Sequence, residues 1–541
     1  MPELSSQTVI RTTAVPVPEG AEQHLVAMRD GVRLATDVYH GSEPDLPRPV
    51  MLTRLPYDKG SRYVFFYALA PLVLARGYVL VVQDVRGKFR SEGETLSGSC
   101  EVNDGYDTID WIAAQPWCDG NVGMFGDSYF GFTQWAAVAA GHPALKAISP
   151  RVTSMELLQD MASSEPMSLT LCHYLLCYWA DNDIWNIEPD WDTRPLVKAL
   201  EAAEREIGAG SRLLHQLVPE RTADPLYPAG HPLDADPVPV LHGVGWFDNL
   251  LGWSMRDHTR LAADPRWAPC LYLRAEAVDH EYHHLSDVPL TKDNDHSLDD
   301  DALQRKLPHY VGPTLDFFDV FLRGGDPASY PRVTWDLGAV ETRTDTQWPP
   351  TGSRPLALHL DLGEGALTEE PAASATASWT CDPSNPLRSA APDPFAFLAA
   401  YPDESAAAAR SDVLASRSRT RTEPLDLAGP ITLTLRIDTT APSTDVFAKL
   451  YDVDPTGAAH MIARGQTHIA APDPLDEMRI DLSHTGYRIA PGHRLQVHLT
   501  SSDFPDYLPH PGTDDNRWLA THHVTSTQTL HEGTLQVTVL P

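Results

Sequence analysis

The sequence predicts an α/β domain with a helical insertion, followed by an all-β domain. Three observations carry that prediction. Strand-like and helix-like stretches alternate over residues 1–151 and again over 239–327. Residues 152–238 between them read as helical. From 328 to 541 the helices fade, and short alternating strands separated by proline and glycine take over.

In the first part, Val32, Leu34 and Val38 fall on alternate positions, as a half-buried strand places them. PVMLTRLPY (49–57) is a β-rich run, and VFFYALAPLVLAR after it is helical. RGYVLVVQD (76–84) is a short continuous apolar run, the mark of a strand buried on both faces. A helix is expected around YDTIDWIAAQ (106–115), with Asn103 able to cap it. NVGMFG (121–126) reads as strand, FTQWAAVAA (132–140) as helix and LKAISP (145–150) as strand. That alternation calls for a parallel sheet with helices on both faces.

The insertion holds no evident strand. The α/β pattern resumes at PVPVLHGVGW (237–246) and PCLYLRAEA (269–277), and a helix over 312–325 closes it. The acidic stretch between these, 287–306, reads as a solvated loop. In the last domain Ile431, Leu433, Leu435 and Ile437 alternate with polar residues, as do Leu495, Val497 and Leu499. A β-sandwich or jelly roll is the architecture this predicts. PAASATAS (371–378) and the alanine-rich stretch 404–421 read as loops.

Composition bounds the partners. The 541 residues carry a formal net charge of −33, which argues against nucleic acid and anionic membranes, since both need a basic face. The six cysteines at 100, 118, 172, 177, 270 and 381 show no zinc spacing and no CxxC pair. They suit reduced thiols in the cytoplasm. The N-terminal stretch lacks the basic and apolar regions of a secretory signal. No run reaches the roughly 18 apolar residues of a membrane span.

The strongest local signal is Gly126-Asp127-Ser128-Tyr129-Phe130-Gly131, set between a strand-like and a helix-like run. That is the setting of a nucleophile elbow, where a serine sits on a tight turn at the top of a sheet. The generic elbow is G-x-S-x-G. Here Phe130 stands where the second glycine is expected, and the glycine follows one position later. The backbone N–H of Tyr129 would supply half of an oxyanion hole. A serine also needs a base and an orienting carboxylate, which follow in the chain order Ser, Asp, His in such a fold. Asp248 follows the strand at 237–246, and His280 follows the strand at 269–277. His283, His284 and the strand residue His242 are rival histidines. A metal at Asp279, His280, His283 and His284 is disfavoured, because no HExxH or comparable ligand motif is present. No cofactor is expected.

Several stretches extend this into a resemblance. MRDGVRLATDVY (28–39), RLPYDK (54–59), VVQDVRGKFRSEGE (81–94), DTIDWIAAQPWCDGNVGMFGDSYFG (107–131), GWFDN (245–249), STDVFAKLYDV (443–453) and HRLQVHLTSSDFP (493–505) run in order along nearly the whole chain. Together they resemble the cocaine esterase and X-prolyl dipeptidyl peptidase group of serine hydrolases, which includes α-amino-acid ester hydrolases and glutaryl acylases. The group carries a bulky residue at the position of Phe130.

The resemblance implies an α/β-hydrolase domain with an inserted helical cap and a C-terminal jelly roll. It implies Ser128 as nucleophile, Asp248 as orienting acid and the Tyr57 hydroxyl beside the Tyr129 N–H in the oxyanion hole. The histidine region, LRAEAVDHEYHH, departs from the group's pattern. The expected reaction is cleavage of a small ester, amide or short peptide through an acyl-enzyme. X-prolyl dipeptidyl peptidase activity is the alternative, with Glu165, Asp181 and Asp183 as candidates to hold a free amine. Homo-oligomers are compatible with the sequence.

Overall fold

The computed structural model describes residues 9–95, 98–222, 224–371, 375–470 and 477–541. The start of the chain up to residue 8 and the loop expected over 372–374 lie outside them.

The first sheet has ten strands. Its centre runs Val79–Asp84, Arg48–Leu55, Cys118–Asp127, Leu145–Arg151, Val240–Gly245, Leu271–Glu276 and Val333–Leu337, all parallel to their neighbours. Antiparallel strands finish both edges. Val79–Asp84 is buried along its entire length, its apolar residues Val79–Val82 as a strand covered on both faces requires, and Gln83 and Asp84 with buried polar partners. Helices cover both faces of the sheet. Cys100–Ala113 and Ser128–Ala140 pack with one core, and Phe66–Ala75 and Asp300–Phe321 with another.

Four departures from the sequence reading have identifiable causes. Asn103 caps nothing: the helix begins at Cys100, and the Asn103 side chain instead accepts a hydrogen bond from Arg29. The acidic stretch after residue 287 is only partly loop. Asp299 accepts from the Ala302 N–H and starts a helix at Asp300 that continues through Pro308 and Pro313. The first sheet extends past residue 328, because Val333–Leu337 pairs with Leu271–Glu276 and Glu341–Asp345 pairs in turn with Val333–Leu337. Within 404–421, expected as loop, Val413–Arg417 pairs with Arg494–Thr500.

The inserted segment holds the helices Leu157–Ser163, Leu169–Trp179, Val197–Ile207 and Arg212–Leu217. One short strand, Ile184–Asn186, was not expected there; it pairs with Ile10–Thr12. The insertion packs its own apolar core over Tyr129 and Phe132. Lys88 pins it from below, donating to the carbonyls of Tyr178, Asp181 and Asp183 at 2.7, 2.8 and 2.9 Å.

The C-terminal part is all-β. A second ten-stranded sheet runs from Ala459–Ala470 round to Met478–Ile489. Its core is an aliphatic cluster that includes Leu433, Leu435, Val497 and Leu535. No helix among the described residues is long and apolar enough to cross a membrane.

Candidate active site

Ser128 stands where the strand Cys118–Asp127 turns into the helix Ser128–Ala140, with a left-handed φ of 52°. A non-glycine residue held in that region signals a strained turn. The surrounding glycines have steric reasons. A Cβ at Gly126 would lie 2.1 Å from the Phe130 ring. A Cβ at Gly131 would lie 2.6 Å from Thr153. The displaced glycine of the motif therefore lets the helix approach the chain beyond the strand Leu145–Arg151, while Phe130 fills the space that Gly126 leaves free.

Asp127 is held by three hydrogen bonds. Arg151 donates to both its oxygens at 2.7 and 3.0 Å, and the Tyr310 hydroxyl donates at 2.8 Å. The Tyr129 side chain is fully buried and donates to Glu101, itself paired with Arg54 at 2.8 Å in the interior. These buried charges tie down the elbow from both sides.

Asp248 and His280 follow neighbouring parallel strands. His280 Nδ1 lies 2.7 Å from Asp248 Oδ1, and both side chains are buried. Burial pulls the imidazole pKa down, but the Asp248 charge and hydrogen bond outweigh it and leave it above the ordinary 6.5. The two rival histidines nearby have other carboxylates. His283 Nδ1 is 3.2 Å from Asp279, and His284 Nε2 is 3.2 Å from Asp336. His242 is buried in its strand, stacked on His258, and burial drives its pKa down to about 3.

Two cavities meet at Ser128. One is about 610 Å³ and lies under the insertion; the other is about 310 Å³. Ser128, His280, Tyr57, Tyr63 and Glu281 line both. Neither His283, His284 nor His242 lines either. Tyr57 is buried, with its hydroxyl 3.4 Å from that of Tyr174 in the insertion. Burial, then Tyr174, pushes its phenol well above the ordinary 10, against a hydrogen bond with Ser128. Tyr57 therefore stays a neutral donor. Its loop is anchored one turn on by Lys59, buried between Asp84 at 2.5 Å and Asp37 at 3.7 Å.

The acidic candidates from the sequence lie elsewhere. Glu165 pairs with Arg221 and Asp183 with Arg11, while Asp181 accepts from Trp185; none lines either cavity. Glu188, Glu281, Asp393 and Asp506 line the larger cavity instead, and among the described residues no lysine or arginine does, while Arg62 lines the smaller one. Glu281 is the residue the sequence reading passed over. Its position beside His280 is a signal in the chain, but its exposure to the cavities is set by the fold.

A strained serine at the strand-to-helix turn, a buried carboxylate–imidazole pair and a cavity on either side define a serine hydrolase of the α/β-hydrolase class. Comparison with known proteins gives the family. The family model of the X-Pro dipeptidyl-peptidase (S15 family) matches residues 30–280, and that of the X-Pro dipeptidyl-peptidase C-terminal non-catalytic domain matches 327–539. Cocaine esterase of Rhodococcus sp. (strain MB1 Bresler) is 30% identical, over 90% of this chain and 91% of its own. A solved α-amino acid ester hydrolase superposes with a TM-score of 0.79 at 22% identity, covering 97% of this chain and 98% of its own. An aminopeptidase from a marine sediment Thaumarchaeota archaeon superposes at 0.78 and 22%, covering 100% and 99%. The chain belongs to the S15 family of X-Pro dipeptidyl-peptidase and cocaine esterase relatives, and it is a serine hydrolase.

Proposed function

We propose that the enzyme hydrolyses small esters or amides whose acyl or leaving part carries a protonated amine, with Ser128 as nucleophile, His280 as base and Asp248 as the acid that orients it. The observation that carries the substrate reading is Glu281. It lines both cavities, accepts from Tyr63 at 3.0 Å, and has its pKa raised by burial against the opposing charge of His280. Glu281 is only partly exposed, and the larger cavity, unlike the smaller one with Arg62, brings it no lysine or arginine among the described residues, so a cation on the ligand is favoured there. Tyr174, Tyr178, Trp185, Trp191 and Phe395 add aromatic faces that suit the same charge.

The reaction runs in two steps. His280 Nε2 takes the Ser128 proton as Oγ bonds to the carbonyl carbon. Asp248 fixes the tautomer and stabilises the imidazolium. Tyr57 and the Tyr129 N–H donate to the oxyanion. His280 then protonates the departing alcohol or amine, whose bond to the acyl carbon breaks. Water gives a proton to His280 and its hydroxide to the acyl carbon, and Ser128 leaves with the proton restored.

The chain divides, in this reading, into an α/β-hydrolase domain in two parts, the inserted cap and a C-terminal jelly roll. No disulfide joins cysteines among the described residues, which supports a reducing compartment such as the cytoplasm.

The test is a matched substrate panel of glycyl and N-acetylglycyl p-nitrophenyl esters, with glycyl-prolyl anilide as the peptide member. Free-amine compounds are expected to show at least about tenfold higher kcat/KM than their capped partners, the size of one charge-assisted hydrogen bond. Equal or better turnover of the capped esters would remove the amine from the proposal. Preference for the anilide would move the enzyme to the peptidase side.

A further inference from the structure

Behind the loop that carries His280 lies a separate cavity of about 450 Å³. Tyr282 and His296 reach both this cavity and the smaller one at Ser128. The groups in it take no part in the hydrolysis described above.

His283 is 6% exposed, and its Nδ1 faces Asp279 Oδ2 at 3.2 Å. A carboxylate can only accept, so Nδ1 is the ring's donor to Asp279. The ring's Nε2 is buried and has no hydrogen-bond partner. It lies 3.9 Å from Asp295 Oδ1, a second acceptor. His296 stands beside them, its ring 4.9 Å from that of His283. One ligand atom from each of His283, Asp295 and His296 lies within 4.8 Å of the others. A buried ring nitrogen left without a partner is costly, and a cation shared with the neighbouring carboxylate would satisfy it.

Lys306 is the nearest cation. Its Nζ is 3.0 Å from Nδ1 and 2.8 Å from Nε2 of His296. So equal a reach to both nitrogens puts the ammonium over the ring face.

We propose that His283, Asp295 and His296 form a binding site for one divalent transition-metal ion of the zinc class. Two imidazoles and a carboxylate are a zinc donor set, with water as the fourth ligand, and they disfavour calcium and magnesium. Asp279 supplies the outer carboxylate that orients a metal-bound histidine. Ligand atoms around zinc stand roughly 3.3 Å apart, so binding needs side-chain shifts on the order of 1 Å. The ion ties the segment after His280 to residues 295–296, at the rim of the smaller cavity. Its work is to hold that rim; the ion stands apart from the acyl chemistry. The sequence reading set aside a metal at residues 279–284 because it lacked a ligand motif. Two of the three ligands proposed here lie a dozen residues further on.

Equilibrium dialysis of the full-length protein against ZnCl₂, followed by metal analysis, tests the site. About one ion per chain is expected, and CoCl₂ should give the intense visible bands of a tetrahedral ion. His283→Gln and Asp295→Asn, checked for folding by circular dichroism, should each weaken binding at least tenfold. Zinc should raise the thermal midpoint by roughly 2–4 °C, and EDTA should remove that rise while turnover stays within about twofold. Asp295→Asn changes a partly exposed loop residue and keeps the test open if His283→Gln does not fold. Absence of a stoichiometric ion in the wild type overturns the proposal. So does zinc binding that the folded variants leave unchanged, since the ion would then sit elsewhere among the 23 histidines.

Discussion

Three histidines lie within five residues of one loop, and each has a carboxylate within hydrogen-bond reach. His280 meets Asp248 at 2.7 Å, His283 meets Asp279 at 3.2 Å and His284 meets Asp336 at 3.2 Å. The pairs are alike in composition. They differ in what the other side of the ring faces. His280 looks onto the cavities of Ser128, while His283 and His284 line the cavity behind the loop. A carboxylate–imidazole pair is thus a common structural unit, and in the proposed mechanism it serves as a base only where a serine shares its cavity.

Substitution can break that comparison. His280→Ala should lower kcat on the order of 10⁴- to 10⁶-fold, as loss of one member of a unit does. His283→Ala and His284→Ala should leave kcat within about threefold. His283→Ala should instead cost about 1–3 kcal/mol of stability, because it leaves the buried Asp279 short of a donor. Steady-state kinetics with denaturant unfolding separates the two effects. A severe kcat loss at 283 or 284 with a mild one at 280 would transfer the base to the other cavity.

Tyr57→Phe comes next in size. It keeps the ring and deletes the donor, so kcat should fall about a hundred- to thousandfold, the usual effect of one oxyanion donor. KM should change little, because the charge exists only in the transition state. Near-normal kcat in the folded variant would take Tyr57 out of the site.

A smaller effect is expected at Glu281. Glu281→Gln should cut kcat/KM about tenfold or more for free-amine substrates and spare capped ones. Equal losses on both would make Glu281 a packing residue.

The pH profile sharpens the comparison further. The base must be neutral to accept a proton, and Asp248 holds His280 above its ordinary 6.5. Activity should therefore fall as pH drops, with the midpoint of the acid limb of kcat/KM above 6.5. A limb centred below pH 6 would mean that His280 is not the titrating group.

Local patterns were legible in the sequence where one segment decides its own structure. Gly126 marked the elbow because a Cβ there would collide with Phe130 in the same turn, whereas the space kept by Gly131 is set by Thr153 beyond the next strand. Strand order alone pointed to Asp248 and His280, which the structure brings within 2.7 Å of each other, since parallel strands place their following loops along one edge. The parts missed depend on distant segments. Asn103 had the chemistry of a cap, but Arg29 takes its side chain. The helix from Asp300 was hidden by Pro308 and Pro313 and by an acidic start that reads as loop. Val333–Leu337 joined the first sheet through pairing with Leu271–Glu276, which strand alternation cannot reveal. Glu165, Asp181 and Asp183 were plausible by composition, yet arginine and backbone partners draw them away from Ser128. Glu281 and Asp393 reach the cavity only because the insertion and the β-domain close over it.

The most direct test of the account is the site of covalent modification. The wild-type enzyme is treated with a fluorophosphonate, digested and mapped by mass spectrometry, with Ser128→Ala treated in parallel. The account predicts a single adduct on Ser128 that forms as activity is lost, and a folded Ser128→Ala protein with neither adduct nor turnover. An adduct on another residue, or turnover above a few per cent in Ser128→Ala, would contradict it.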